Sequence, residues 1–250
     1  MRIAGIVLCA LLALSGSHGP GDAVADIVTP EMSTTIETLS AGAASAGVSV
    51  GGGMPPPTFG LPSWWRGGIC DPGNDPGSVE IGRWGDLIAC GPNNDVVSGI
   101  DPEAGWGGAL EWECVELSER YLNQRYHLPA VSVNGDALVD AYFDPMIQQL
   151  FGFDISDTPL IRVYPGRGGM PVPGDVLSFG QPGHPGHTGV VTAALVSANG
   201  HGVITMINQN RSNGAPGSAF VTITMINGVP QPLGQLTVID WIHDTTSDAS

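Results

Sequence analysis

"WECVELSERYLNQRY", residues 112–126, puts a cysteine at the head of a run whose apolar side chains fall on one helical face. Val115, Ser118 and Leu122, with Leu117 and Tyr121, recur at the three-to-four spacing of a buried stripe, which predicts a helix opening at Cys114. Glu116 and Arg120 have the spacing of an exposed ion pair four residues apart. Such a cysteine can be half of a bridge, a core filler or a nucleophile, and the rest of the chain has to decide.

Four cysteines occur in 250 residues. Cys9 lies in the apolar run Ile3–Leu14, which follows Met1-Arg2 and is too short to span a bilayer. With the small-residue site Ala23-Val24-Ala25 behind it, the run reads as a signal peptide over 1–25. Export to the outside of the cell implies an oxidising destination in which cysteines pair. Cys70 and Cys90 flank a Gly/Pro/Asp-rich stretch, and a bridge between them would leave Cys114 free. A bridge from Cys114 to either of them is the alternative.

Charge narrows the partners. Eight arginines, no lysine and 24 acidic residues give a net charge of −16, a surface that repels nucleic acid and anionic lipid. Residues 26–62, rich in Ser, Thr, Ala, Gly and Pro, read as a flexible linker. A single domain is expected over 63–243, followed by a disordered tail over 244–250; the chain is expected to be a monomer.

Within the domain a second helix is expected around "GDALVDAYFDPMIQQLF", interrupted at Pro145. Strand-like runs rich in Val, Ile and Thr follow at 175–179, 187–196, 202–208, 219–226 and 235–242. Helices followed by strands predict an α+β fold, with an antiparallel sheet packed on the cysteine helix.

A thiol becomes a better nucleophile where a helix N-terminus or an imidazolium lowers its pKa from about 8.5. His187 opens a strand directly after a glycine and is the strongest candidate base. Asn208, Gln209 and Asn210, at the end of the next strand, are candidate partners for its ring. His18 falls in or beside the signal, while His127, His201 and His243 read as surface, turn and near-tail residues.

"ECVELSERYL", "VPGDVLSFG", "GHTGVV" and "GVITMINQN", in that order, resemble the CHAP family of cysteine- and histidine-dependent amidohydrolases/peptidases, over about 110–210. The resemblance implies a papain-like α+β fold with N-terminal helices packed on a curved antiparallel sheet. It implies Cys114 as nucleophile, His187 as general base and acid, Asn208 as the group orienting the ring, and the Cys114 backbone N–H as an oxyanion donor. It also implies amide hydrolysis through an acyl-enzyme, most often on bacterial peptidoglycan, without a cofactor. "NGDAL" at 134–138 resembles the segment packing behind the site, and "PGDV" at 173–176 the turn into the sheet. Two positions depart from the family: Asn208 stands where an acid is common, and Glu113 where glutamine is common.

Other chemistries fit less well. His184 and His187 form an H-x-x-H pair without an HExxH motif or paired cysteines. Acids at 71–75, Asp86 and 93–95 offer oxygen ligands for calcium, but beside glycines and prolines they read first as ordinary turn chemistry. No G-x-S-x-G elbow occurs. The rival from another class is a weak or inactive secreted module that binds wall peptides or a protein partner.

Overall fold

The computed structural model describes residues 53–70, 78–92, 100–101, 109–210 and 217–249. The expected signal peptide, linker residues 26–52 and the acidic turns at 71–75 and 93–95 lie outside the described residues.

The N-terminal part forms a four-stranded antiparallel sheet in sequence order: β1 (Trp65–Arg66), β2 (Ile69–Cys70), β3 (Val79–Trp84) and β4 (Leu87–Gly91). A disulfide joins Cys70 to Cys90. A short pair, β5 (Ile100–Asp101) and β6 (Ala109–Leu110), leads into helix α1 (Cys114–Tyr126). Two short helices follow, α2 (Leu138–Phe143) and α3 (Pro145–Phe151). The break between them falls at Asp144, whose side chain accepts the Met146 and Ile147 N–H groups ahead of Pro145 at the first helical position.

The remaining strands build one curled antiparallel sheet. They are β7 (Leu160–Val163), β8 (Val176–Gly180), β9 (His187–Val196), β10 (Gly202–Ile207), β11 (Phe220–Ile226), β12 (Val229–Pro230) and β13 (Thr237–Asp244). Their order is β12-β11-β10-β9-β8-β13-β7. Register shifts at Thr205/Met206 and Val238/Asp240 bend the strands there. The fold is therefore α+β, with few helices.

Strand alternation divides the core in two. Val176, Val190 and Ile207 face α1, packing with Leu117, Tyr121 and Leu122. Leu177, Phe179, Val191, Met206 and Trp241 form a second cluster. On α1, Ser118 Oγ lies 3.2 Å from Thr188 Oγ1, which donates to the Leu177 carbonyl at 2.8 Å. Thr188 has thus used its hydrogen, so the serine hydroxyl donates to it.

Three boundaries and contacts differ from the sequence reading. Glu116 and Arg120 do pair at 2.6 Å, but both side chains are fully buried rather than exposed. The cause is β4, which covers the side of α1 away from the large sheet: Arg120 Nη2 donates to the Ile88 carbonyl at 2.7 Å, and the guanidinium lies over Trp64. Residues 53–62 pack on the domain instead of acting as linker, with Met54 N–H donating to Pro173 O and Asp86 N–H to Pro57 O. The expected disordered tail is also ordered: Asp244 ends β13 and Thr245–Ala249 form a 3-10 turn, held where Asp248 reaches His243 Nε2 at 3.2 Å. Among the described residues, no helix is long and apolar enough to cross a membrane.

Candidate active site

Cys114 is a free thiol, 7% exposed, at the first position of α1. The approach to it is set by Trp112, in the left-handed region at φ 59°, whose indole is buried edge-on against Trp64 at 4.8 Å. Glu113 is the extended N-cap residue, and its side chain does not cap the helix. It is drawn aside instead, with Oε2 accepting from Asn210 Nδ2 at 2.6 Å.

The backbone amides of Thr188, Val115 and Cys114 itself favour a thiolate. Burial outweighs them and pushes the thiol up to about 12, and the Glu113 charge acts in the same direction. The lowering expected of a helix N-terminus is overridden, because a desolvated sulfur loses more hydration than three N–H donors replace.

His187 is 5% exposed, one residue before the Thr188 N–H that meets the sulfur. Its Nε2 lies 3.0 Å from Asn208 Oδ1. Asn208 Nδ2 donates to the Ala219 carbonyl at 2.6 Å, which fixes the amide orientation and turns Oδ1 toward the ring. Nε2 therefore carries the ring proton, and Nδ1 is the basic nitrogen. Gly135, in the expected "NGDAL" segment, lies against the His187 main chain so closely that a Cβ would come within 2.7 Å of the His187 carbonyl carbon. Only glycine fits there.

Cys114 and His187 line the same cavity, of about 1000 Å³, together with Asn134, Gly135, His184 and Glu113. Glu119 shapes its wall. That buried carboxyl is held up to about 8 by desolvation, and its Oε1 accepts the Val131 and Ser132 N–H groups at 2.7 and 3.3 Å.

The three amides proposed as ring partners separate by role. Asn208 takes the histidine, Asn210 takes Glu113, and Gln209 turns into a buried network with Cys90, Glu113 and Glu116. The sequence reading missed that network; the fixed spacing of Glu116 and Arg120 was its one visible sign. It also missed His243, whose Nδ1 lies 2.9 Å from Asp175 Oδ1 in the "PGDV" turn. His184 Nδ1 accepts the Gly186 N–H at 3.0 Å, and Asp86 accepts the Gly60 N–H at 2.8 Å. Among the described residues no group of three His, Cys, Asp or Glu side chains is arranged to hold a metal.

No protein-family model matches this chain, and no curated protein sequence matches it.

In chemical terms, one cavity is lined by a neutral thiol at a helix start and by an imidazole whose Nε2 is tied to Asn208, leaving Nδ1 as the basic nitrogen. Such a set can transfer an acyl group from an amide to sulfur.

Proposed function

We propose that the protein is a secreted, CHAP-like and papain-like thiol amidohydrolase/peptidase, and that its substrate is an amide of bacterial cell-wall peptidoglycan. One observation carries the reading: an unpaired Cys114 thiol shares a cavity with His187, whose tautomer is set by Asn208. The Cys70–Cys90 disulfide supports an oxidising destination.

The mechanism follows from the protonation states. Because burial keeps the thiol neutral, His187 Nδ1 takes the Cys114 proton as sulfur attacks the amide carbonyl. The imidazolium then gives that proton to the leaving amine, and a thioester to Cys114 remains. Water, deprotonated by the same nitrogen, attacks the thioester; the carboxylic acid leaves and the thiol is restored. Asn208 holds the ring throughout and accepts from Nε2 in both the neutral and the charged form. In this reading the Cys114 backbone N–H serves as an oxyanion donor. Glu113, held toward Asn210, does not take the role of a donating glutamine.

A second reading is favoured by a specific pair of facts. The thiol is pushed up rather than down, and Glu113 opposes its ionisation; both suit an inactive module that binds wall peptides or a protein partner. Zymography on purified peptidoglycan, native protein beside Cys114→Ala, separates the two. Clearing by the native protein alone supports the hydrolase, and equal behaviour of both overturns it. Mass analysis of the released muropeptides then identifies the bond that is cut.

A further inference from the structure

Gln209 is fully buried, and the hydrogen-bonding capacity of its side chain is matched to three partners. Its Oε1 accepts the Cys90 backbone N–H at 2.7 Å. Its Nε2 donates to the Glu113 carbonyl at 3.0 Å and to Glu116 Oε2 at 2.6 Å. The partners come from the disulfide-bearing strand β4, the residue that caps α1, and the first turn of α1. Gln209 itself follows Asn208, the residue that fixes the His187 ring.

The chemistry of the contact is restrictive. An N–H must be accepted on one side while a carbonyl and a carboxylate are both supplied with protons on the other. A carboxamide does this. Glutamate would set a second carboxyl against Glu116, and methionine, of similar size, would fill the space and satisfy none of the three. Glu116 is held in turn by Arg120 Nε at 2.6 Å, so the node cannot drift along the helix.

We propose that Gln209 is a positioning residue, setting where the Cys114 thiol stands relative to the His187–Asn208 pair by tying the helix start and the end of β10 to the strand of the Cys70–Cys90 disulfide. Its catalytic consequence rests on the amidohydrolase reading; its effect on the thiol does not.

The test uses the full chain with its disulfide intact and compares native protein, Gln209→Met, Gln209→Glu, and Gln209→Glu paired with Glu116→Gln. The pair exchanges donor and acceptor across the same contact. Alkylation of Cys114 by iodoacetamide, followed against pH, reads the thiol alone; kcat and KM on a soluble muropeptide read catalysis. Loosening the first turn displaces the thiol and the helix start that favours its ionised form, so both single variants should alkylate about tenfold more slowly at about pH 9. Their kcat should fall roughly ten- to a hundredfold with KM within about twofold, the signature of misplacement rather than lost binding. The exchanged pair, which restores the contact with residue 116 but not the donor to the Glu113 carbonyl, should recover part of both losses. A native alkylation profile in folded Gln209→Met, or an exchanged pair no better than Gln209→Glu, overturns the proposal. Should Gln209→Met fail to fold, the comparison of Gln209→Glu with the pair decides. If native protein hydrolyses nothing, the amidohydrolase reading fails, while the alkylation series still decides the role of Gln209.

Discussion

Two buried histidine centres lie on the curled sheet, and their neighbours have opposite electrostatic fates. At the cavity, Cys114 meets only neutral N–H donors and a repelling Glu113, so burial wins and the thiol rises to about 12. At the far end of β13, His243 meets Asp175 at 2.9 Å and Asp248 at 3.2 Å. There the partner wins: the Asp175 hydrogen bond lifts His243 to about 9, against the cost of its own burial. Asp175 is carried up to about 6 by burial, with His243 pulling it down, so through neutral pH both members are charged. An opposite charge in contact outweighs desolvation for His243 and limits its effect on Asp175, whereas backbone dipoles leave the Cys114 thiol neutral. The thiol of the first centre is left neutral, and the second centre becomes a strut for the C-terminal turn.

The sharpest way to break the comparison is to remove the sulfur. Cys114→Ala should lower muropeptide hydrolysis by about a thousandfold or more while leaving the melting temperature near native, as expected of a nucleophile. Asn208→Ala should lower kcat on the order of a hundredfold, by freeing the ring to adopt the wrong tautomer. A fall confined to KM would show that Asn208 serves binding instead.

The next effects are on stability. Replacing Cys70 and Cys90 by serine opens a link of sequence separation 20, and denaturant titration should show a loss of about 3 kcal/mol. His243→Gln should cost about 2 kcal/mol near pH 7, by leaving the buried, ionised Asp175 without its ionic partner. The sign follows from the raised pKa. The contribution from His243 is lost as pH rises from its unfolded value of about 6.5 through about 9, and below about 6 protonation of Asp175 removes the ionic pair as well. Native protein should therefore lose stability over that window, and His243→Gln should not.

The smallest effect concerns the rate profile of the thiol. Iodoacetamide should modify Cys114 slowly at pH 6 and faster with every step toward alkali, without a plateau below about pH 10. A plateau near pH 6 would mean a preformed thiolate–imidazolium pair.

How much of this was legible in the sequence depended on whether the cause was local. Strand β9 runs over His187–Val196, the segment its β-branched residues predict, and α1 starts at Cys114 as its periodicity predicts. Pro145 announced the break between α2 and α3. The β3–β4 hairpin was hidden. Its alternation is interrupted at Gly82, where a Cβ would come within 2.7 Å of Ala219, so the glycine answers to a strand far away in the chain. The burial of Glu116 and Arg120 was illegible for the same reason, because it depends on β4 crossing the other side of the helix. The order at the C-terminus depends on His243 meeting Asp175, 68 residues earlier in the chain. At the site, residue types and order pointed to Cys114, His187 and Asn208; the division of labour among Asn208, Gln209 and Asn210 needed coordinates.

The most direct measurement is intact-protein mass after acid quench of native protein mixed with excess muropeptide. The account predicts a mass increase equal to the acyl fragment, mapped to the Cys114 peptide and discharged by hydroxylamine. Turnover with no such adduct, persisting in Cys114→Ala, would contradict it.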